Sequence, residues 1–123
     1  MSTLMIALAL ASAPATIKPC PPEVGENARS WIDFNQGFVK AYNMPDLPDM
    51  GRAWNDQRHE NLRKAKGDVM AERVRLGYAY LDAKCYKEAR ETFNAIWESN
   101  STENAVFAQQ AREALNMMNS TKR

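Results

Sequence analysis

Histidine occurs once in this 123-residue chain, as His59, and cysteine twice, as Cys20 and Cys85. No Cys-x-x-Cys is present, so a zinc site built from the usual Cys and His ligands is excluded. His59-Glu60 opens like the His-Glu-x-x-His of a metalloprotease. Arg63 stands where the second imidazole would have to share the helix face, and the motif fails. Glycine is scarce at five. The chain holds no Gly-x-x-x-x-Gly-Lys, Gly-x-Ser-x-Gly or Gly-x-Gly-x-x-Gly, the loops that cradle phosphates or expose a nucleophile. Nothing in the spacing pairs either cysteine with His59 for nucleophilic catalysis. The carboxylate pairs Glu88/Glu91 and Asp46/Asp49 sit in ordinary solvated stretches. We therefore expect no enzyme, no metal and no cofactor. The net charge is only +1, whereas a dedicated nucleic-acid binder is usually markedly basic. Between Arg52 and Arg75, seven Lys/Arg face four Asp/Glu. They interleave at helical spacing, as in surface ion pairing.

No apolar run is long enough to cross a bilayer. Leu4-Met5-Ile6-Ala7-Leu8-Ala9-Leu10-Ala11 belongs to a stretch of about ten residues, against roughly 20 for a span. Ala11-Ser12-Ala13 and Ala13-Pro14-Ala15 follow it, both of the small-x-small kind that signal peptidase accepts. The expectation is a signal peptide over 1–15, although no Lys or Arg precedes the apolar run. Residues 16–22, with three prolines around Cys20, read as a proline-rich linker. The chain is then expected to be periplasmic or secreted. There an even cysteine count invites one disulfide between Cys20 and Cys85. A free Cys85 packed as a small hydrophobe and an intermolecular bridge through Cys20 are the alternatives.

What is abundant is Ala, Glu, Lys, Arg, Gln, Asn and Met, a helix-forming palette short of β-branched runs. The chain suffices for one all-α domain over 23–118, with a polar tail over 119–123. The periodicity predicts about five helices. The first, 23–43, carries Ala28, Trp31, Ile32, Asn35, Phe38, Val39 and Tyr42 on one face, and Gly37 inside it. Pro45 and Pro48 stop it. The second, 50–66, is charged and ends at Gly67, with Asp68 free to cap the third. The third, 69–83, is apolar nearly all round, which predicts a sandwiched position. The fourth, 86–98, and the fifth, 103–118, each bury one face. Trp31, Phe38, Trp54 and Trp97 are expected to cover part of the remaining apolar surface, leaving a monomer or at most a weak homodimer.

Leu76-Gly77-x2-Tyr80 followed by Ala89-x3-Phe93 resembles the tetratricopeptide (TPR) pattern across one helical hairpin. Gly77 and Ala89 are small enough for close helix approach. Leu76, Tyr80 and Phe93 would fill the seam. Arg73 at the Trp slot, Ser101 at the Pro slot and Ile96 at a small-residue slot depart from the pattern. The likeness covers about a quarter of the chain, one repeat at 70–103, and no second copy is legible. A single repeat cannot bury both faces, so the earlier helices must serve as packing layers of a bundle or short α-solenoid. The resemblance implies a protein-interaction module, an adaptor or scaffold that holds a partner peptide or helix in a groove. Carried onto this chain, the groove residues are Ala71, Val74, Tyr78 and Asp82. Burial against the preceding helix is their alternative role. The rival readings are a small exported enzyme or enzyme inhibitor, and a cytoplasmic TPR-like chaperone with an apolar N-terminal arm.

Overall fold

The computed structural model describes residues 19–99 and 101–121. The signal peptide expected over 1–15 and the first residues of the linker lie outside the described residues. Within them the chain is all-helical. It forms α1 (Glu26–Tyr42), a single 3-10 turn (Pro48–Met50), α2 (Arg52–Asp82), α3 (Tyr86–Glu98) and α4 (Ala105–Thr121).

Four α-helices therefore stand where the periodicity predicts five. The second and third expected helices are one 31-residue rod, about 46 Å long at 1.5 Å per residue. Gly67 does not end it. This glycine is not in the left-handed conformation that would terminate a helix. A mid-helix glycine costs about 1 kcal/mol relative to alanine. On either side of it Ala65, Val69 and Met70 are buried, and burying such side chains contributes about 1.5–3 kcal/mol for the larger ones. Packing on both flanks outweighs one weak position. α4 continues through Thr121, into the stretch expected as a polar tail.

Consecutive helices pack in a row. α1 lies on α2, α2 on α3 and α3 on α4, with a lesser contact between α4 and α2. Among the described residues α1 touches neither α3 nor α4. The main core joins the last three helices through Met70, Val74, Ala89, Phe93, Ile96, Ala111, Ala114 and Met118. Ala28 and Ile32 of α1, with Ala65 and Val69 of α2, are buried outside that cluster.

The α2–α3 hairpin is built around Gly77. A Cβ placed there would come within 2.6 Å of the Phe93 ring, and Phe93 and Ala89 are wholly buried. The small residues thus allow the close approach that their size predicts. Leu76 turns the other way: its Cδ1 occupies the space that a Cβ on Gly25 would need. It packs on the turn before α1, outside the seam of the hairpin. Gly25, at φ +76°, is required by both space and conformation.

The hairpin turn closes with paired backbone bonds, Cys85 N–H to Tyr80 O at 2.8 Å and Lys84 N–H to Leu81 O at 3.0 Å. This is a Schellman ending, and its left-handed position is held by Lys84 at φ 63° where glycine is usual. Cys85 then meets Cys20 in a disulfide, with Cα atoms 5.6 Å apart. The bridge fastens the segment before α1 to the hairpin. Arg29 reinforces the clasp, donating to the carbonyls of Pro22 and Val24 and to Tyr80 Oη.

Candidate docking surfaces

α1 is an edge helix, and its sequence carries two stripes where a helix with one neighbour can bury only one. Ala28, Ile32, Asn35 and Val39 recur at four- and three-residue steps, and these turn inward, fully or partly buried. Trp31, Phe34, Phe38 and Tyr42 recur at the same steps, rotated away from them. Neighbouring residues such as Trp31 and Ile32 are about 100° apart on a helix, so the helix that covers Ile32 can leave Trp31 outside the contact. Trp31 is 47% exposed, Phe34 56% and Phe38 41%. The expectation that Trp31 and Phe38 share a buried face with Ala28 and Ile32 is therefore corrected.

The three exposed rings and the half-buried Tyr42 form a continuous ladder. Trp31 meets Phe34 edge to face at 5.5 Å, Phe34 meets Phe38 edge to face at 5.1 Å, and Phe38 stacks on Tyr42 at 6.2 Å. These spacings are favourable for aromatic pairs and hold the rings in fixed orientations. Beside the ladder, a hollow of about 240 Å³ between α1 and α2 is lined by Asn35, Phe38, Tyr42, Asn61, Lys64, Ala65 and Asp68. Sequence reasoning singled out Trp31 and Phe38 but not Phe34. The signal was present, since 31, 34 and 38 follow the three-four step of a helix face.

The four groove residues expected from the TPR resemblance are not all brought together. Val74, Tyr78 and Asp82 line one hollow with Gly25, Asn27, Ala28 and Arg75. Ala71 lines another, with Glu60, Arg63, Glu103 and Phe107. The separation follows from the fold: the start of α4 comes alongside α2 at Ala71, whereas the turn before α1 covers α2 beyond Val74. Val74 is buried in the core. Tyr78 packs edge to face on Phe93 at 5.2 Å and keeps about a third of its surface exposed, and Asp82 is exposed.

The loop after α1 is held by side chains of α2. Asn55 donates to the carbonyls of Leu47 and Gly51 and accepts from Leu47 N–H, all at 2.8–2.9 Å. Arg58, buried, donates to Tyr42 O at 2.7 Å and pairs with Asp46. His59 Nε2 donates to the same Asp46 carboxylate at 2.6 Å. The His59 hydrogen bond, aided by Arg58, holds the Asp46 carboxyl below the usual carboxylate range. This network anchors the loop and orders the end of the aromatic ladder. Its His59 meets Asp46 alone, and no group of three or more metal-ligating side chains gathers among the described residues.

No protein-family model, curated protein or solved structure matches the chain. Among the described residues no helix is long and apolar enough to cross a membrane.

Proposed function

We propose that this chain is a protein-interaction module of a secreted or periplasmic protein, and that the α1 ladder is its docking surface. The observation that carries the reading is the ordered row Trp31–Phe34–Phe38, uncovered on an edge helix and closed at its end by the half-buried Tyr42. Contiguous exposed aromatics mark interaction sites. Rigid rings supply large contact area at little conformational cost. From Trp31 to Tyr42 the row runs about 16 Å, the length of three turns of a partner helix laid along it. The Val74–Tyr78–Asp82 hollow is a secondary contact in this reading, in keeping with a TPR-like hairpin. The Cys20–Cys85 bridge supports an oxidising compartment.

The test is site-specific photocrosslinking in the native host. A benzoylphenylalanine at Phe34 is expected to give a discrete adduct with a partner protein. The same probe at Tyr86, equally exposed but on α3, is expected to give none. Equal labelling from both positions would refute the docking surface, and an adduct with a second copy of the chain would replace it by a homodimer. For the compartment, the mature chain recovered from the host is expected to begin at or near Thr16. An intact Met1 would count against export.

A further inference from the structure

We propose that the hollow between α3 and α4, remote from the α1 ladder and independent of it, binds an acidic segment of a protein in extended conformation. The hollow, about 460 Å³, is lined by Arg90, Asn94 and Trp97 of α3 and by Arg112, Leu115, Asn116 and Asn119 of α4. Each helix contributes positions at i, i+4 and i+7, a single stripe. Arg112 lies over the Trp97 ring, 5.1 Å from its centroid. Arg90 stands seven residues before Trp97, about 10 Å along the helix. The hollow therefore has a guanidinium towards each end and carboxamides along it.

What sets this hollow apart is two arginines in a lining without a carboxylate; Arg73, the other arginine with no acidic partner among the described residues, contacts Met70 Sδ on α2. Arg52, Arg58, Arg63 and Arg75 each face a carboxylate, those of Asp56, Asp46, Glu60 and Glu72. Arg29 is committed to Pro22, Val24 and Tyr80. Arg90 and Arg112 have no carboxylate within ion-pair distance among the described residues. No acidic side chain lines the hollow. Glu113, next to Arg112 in sequence, engages Gln109 instead, at 3.3 Å. A cation over an aromatic face keeps its in-plane N–H groups free for a carboxylate. The chemistry thus calls for two negative groups separated on the order of the 10 Å helical rise between the Arg90 and Trp97 positions, a span that residues i and i+3 of an extended chain cover at 3.3–3.6 Å per residue. Along the hollow, each of Asn94, Asn116 and Asn119 offers one acceptor and two donor hydrogens. That complement matches the alternating C=O and N–H of a peptide backbone.

The probe is a fluorescein-labelled Gly/Ser peptide carrying two glutamates three positions apart, with a twin carrying glutamine at both. Binding to the full disulfide-bonded chain is read by anisotropy at low salt, and the Trp97 indole N–H resonance is followed in parallel. The glutamate peptide is expected to bind at least about tenfold tighter than its twin and to shift the Trp97 resonance, as loss of charge-assisted bonds implies. Arg90→Gln and Arg112→Gln are each expected to weaken it by about tenfold, whereas Arg52→Gln should leave it unchanged. Equal binding of the two peptides, an unmoved Trp97 resonance, or binding indifferent to both arginines would overturn the proposal. Tighter binding of a short oligothymidylate than of the peptide would overturn it too, in favour of nucleic acid. If either variant misfolds by circular dichroism, the two peptides and the Trp97 resonance of the unaltered chain decide alone.

Discussion

Replacing Gly67 by alanine tests the longest element of the fold by the sign of its effect. In a continuous α2 the position is helical, and an added Cβ meets nothing within 4 Å. The substitution then brings only the gain in helix propensity, about 0.8–1 kcal/mol, with part of it arising from the less flexible unfolded chain. For a domain of about 100 residues that corresponds to a rise in Tm of roughly 4–8 °C. If the chain instead broke at Gly67, the glycine would occupy the left-handed position that ends helices. Alanine there would cost about 1 kcal/mol, and Tm would fall by a similar amount. The two architectures differ by about 2 kcal/mol in the outcome, well outside the error of a urea or thermal melt. A lower Tm for Gly67→Ala would refute the unbroken helix, and with it the four-helix row.

Other substitutions probe the packing around it. Gly77→Ala must push the Phe93 ring, which is wholly buried and would lie 2.6 Å from the new methyl. Overpacking of that kind costs about 1–3 kcal/mol, so urea melts should show a net loss despite the better helix former. Removing the Cys20–Cys85 bridge, by reductant or by Cys20→Ala, frees a loop of 65 residues, worth about 4 kcal/mol in the chain-entropy model. With a urea slope of about 2 kcal/mol/M the midpoint should drop by about 2 M. Unchanged melts, or two thiols titrating in the unreduced unfolded protein, would refute the bridge. Lys84→Gly relieves a left-handed lysine at the hairpin turn and should stabilise by up to about 1 kcal/mol. At Asp46 the folded carboxyl titrates below its unfolded value. Its contribution is therefore present above the ordinary carboxylate range and lost as pH falls through the lowered value. By NMR, His59→Ala should move the Asp46 titration back up, since the His59 hydrogen bond is the largest cause of the shift.

The helical class followed from composition and from spacing at three and four residues, because those are local properties of the chain. The helix faces of α3 and α4 were legible for the same reason: Ala89, Phe93 and Ile96, then Ala108, Ala111 and Met118, recur at helical steps and are buried, with Trp97 and Leu115 half-buried beside them; Tyr86, at the same spacing on the first turn of α3, is instead exposed. The role of Gly77 was legible too, since its small size sits at a fixed distance from Ala89 and Phe93. Cys20 and Cys85 could be paired on paper only as one option among three. Their meeting depends on how the proline-rich segment folds back over 65 residues.

Gly67 misled because a glycine carries the same local signal whether it ends a helix or interrupts one that neighbours hold together. Only the burial of Ala65, Val69 and Met70 on both sides decides between them. The groove expected at Ala71, Val74, Tyr78 and Asp82 divided because α4 and the turn before α1 approach α2 at different heights, which helix periodicity does not encode. Two stripes on α1 were written in the sequence, Ala28–Ile32–Asn35–Val39 and Trp31–Phe34–Phe38–Tyr42. Which one would be buried was a tertiary matter. α1 has a single neighbour, and α2 covers the smaller stripe and leaves Trp31, Phe34 and Phe38 exposed, with Tyr42 half-buried at the end.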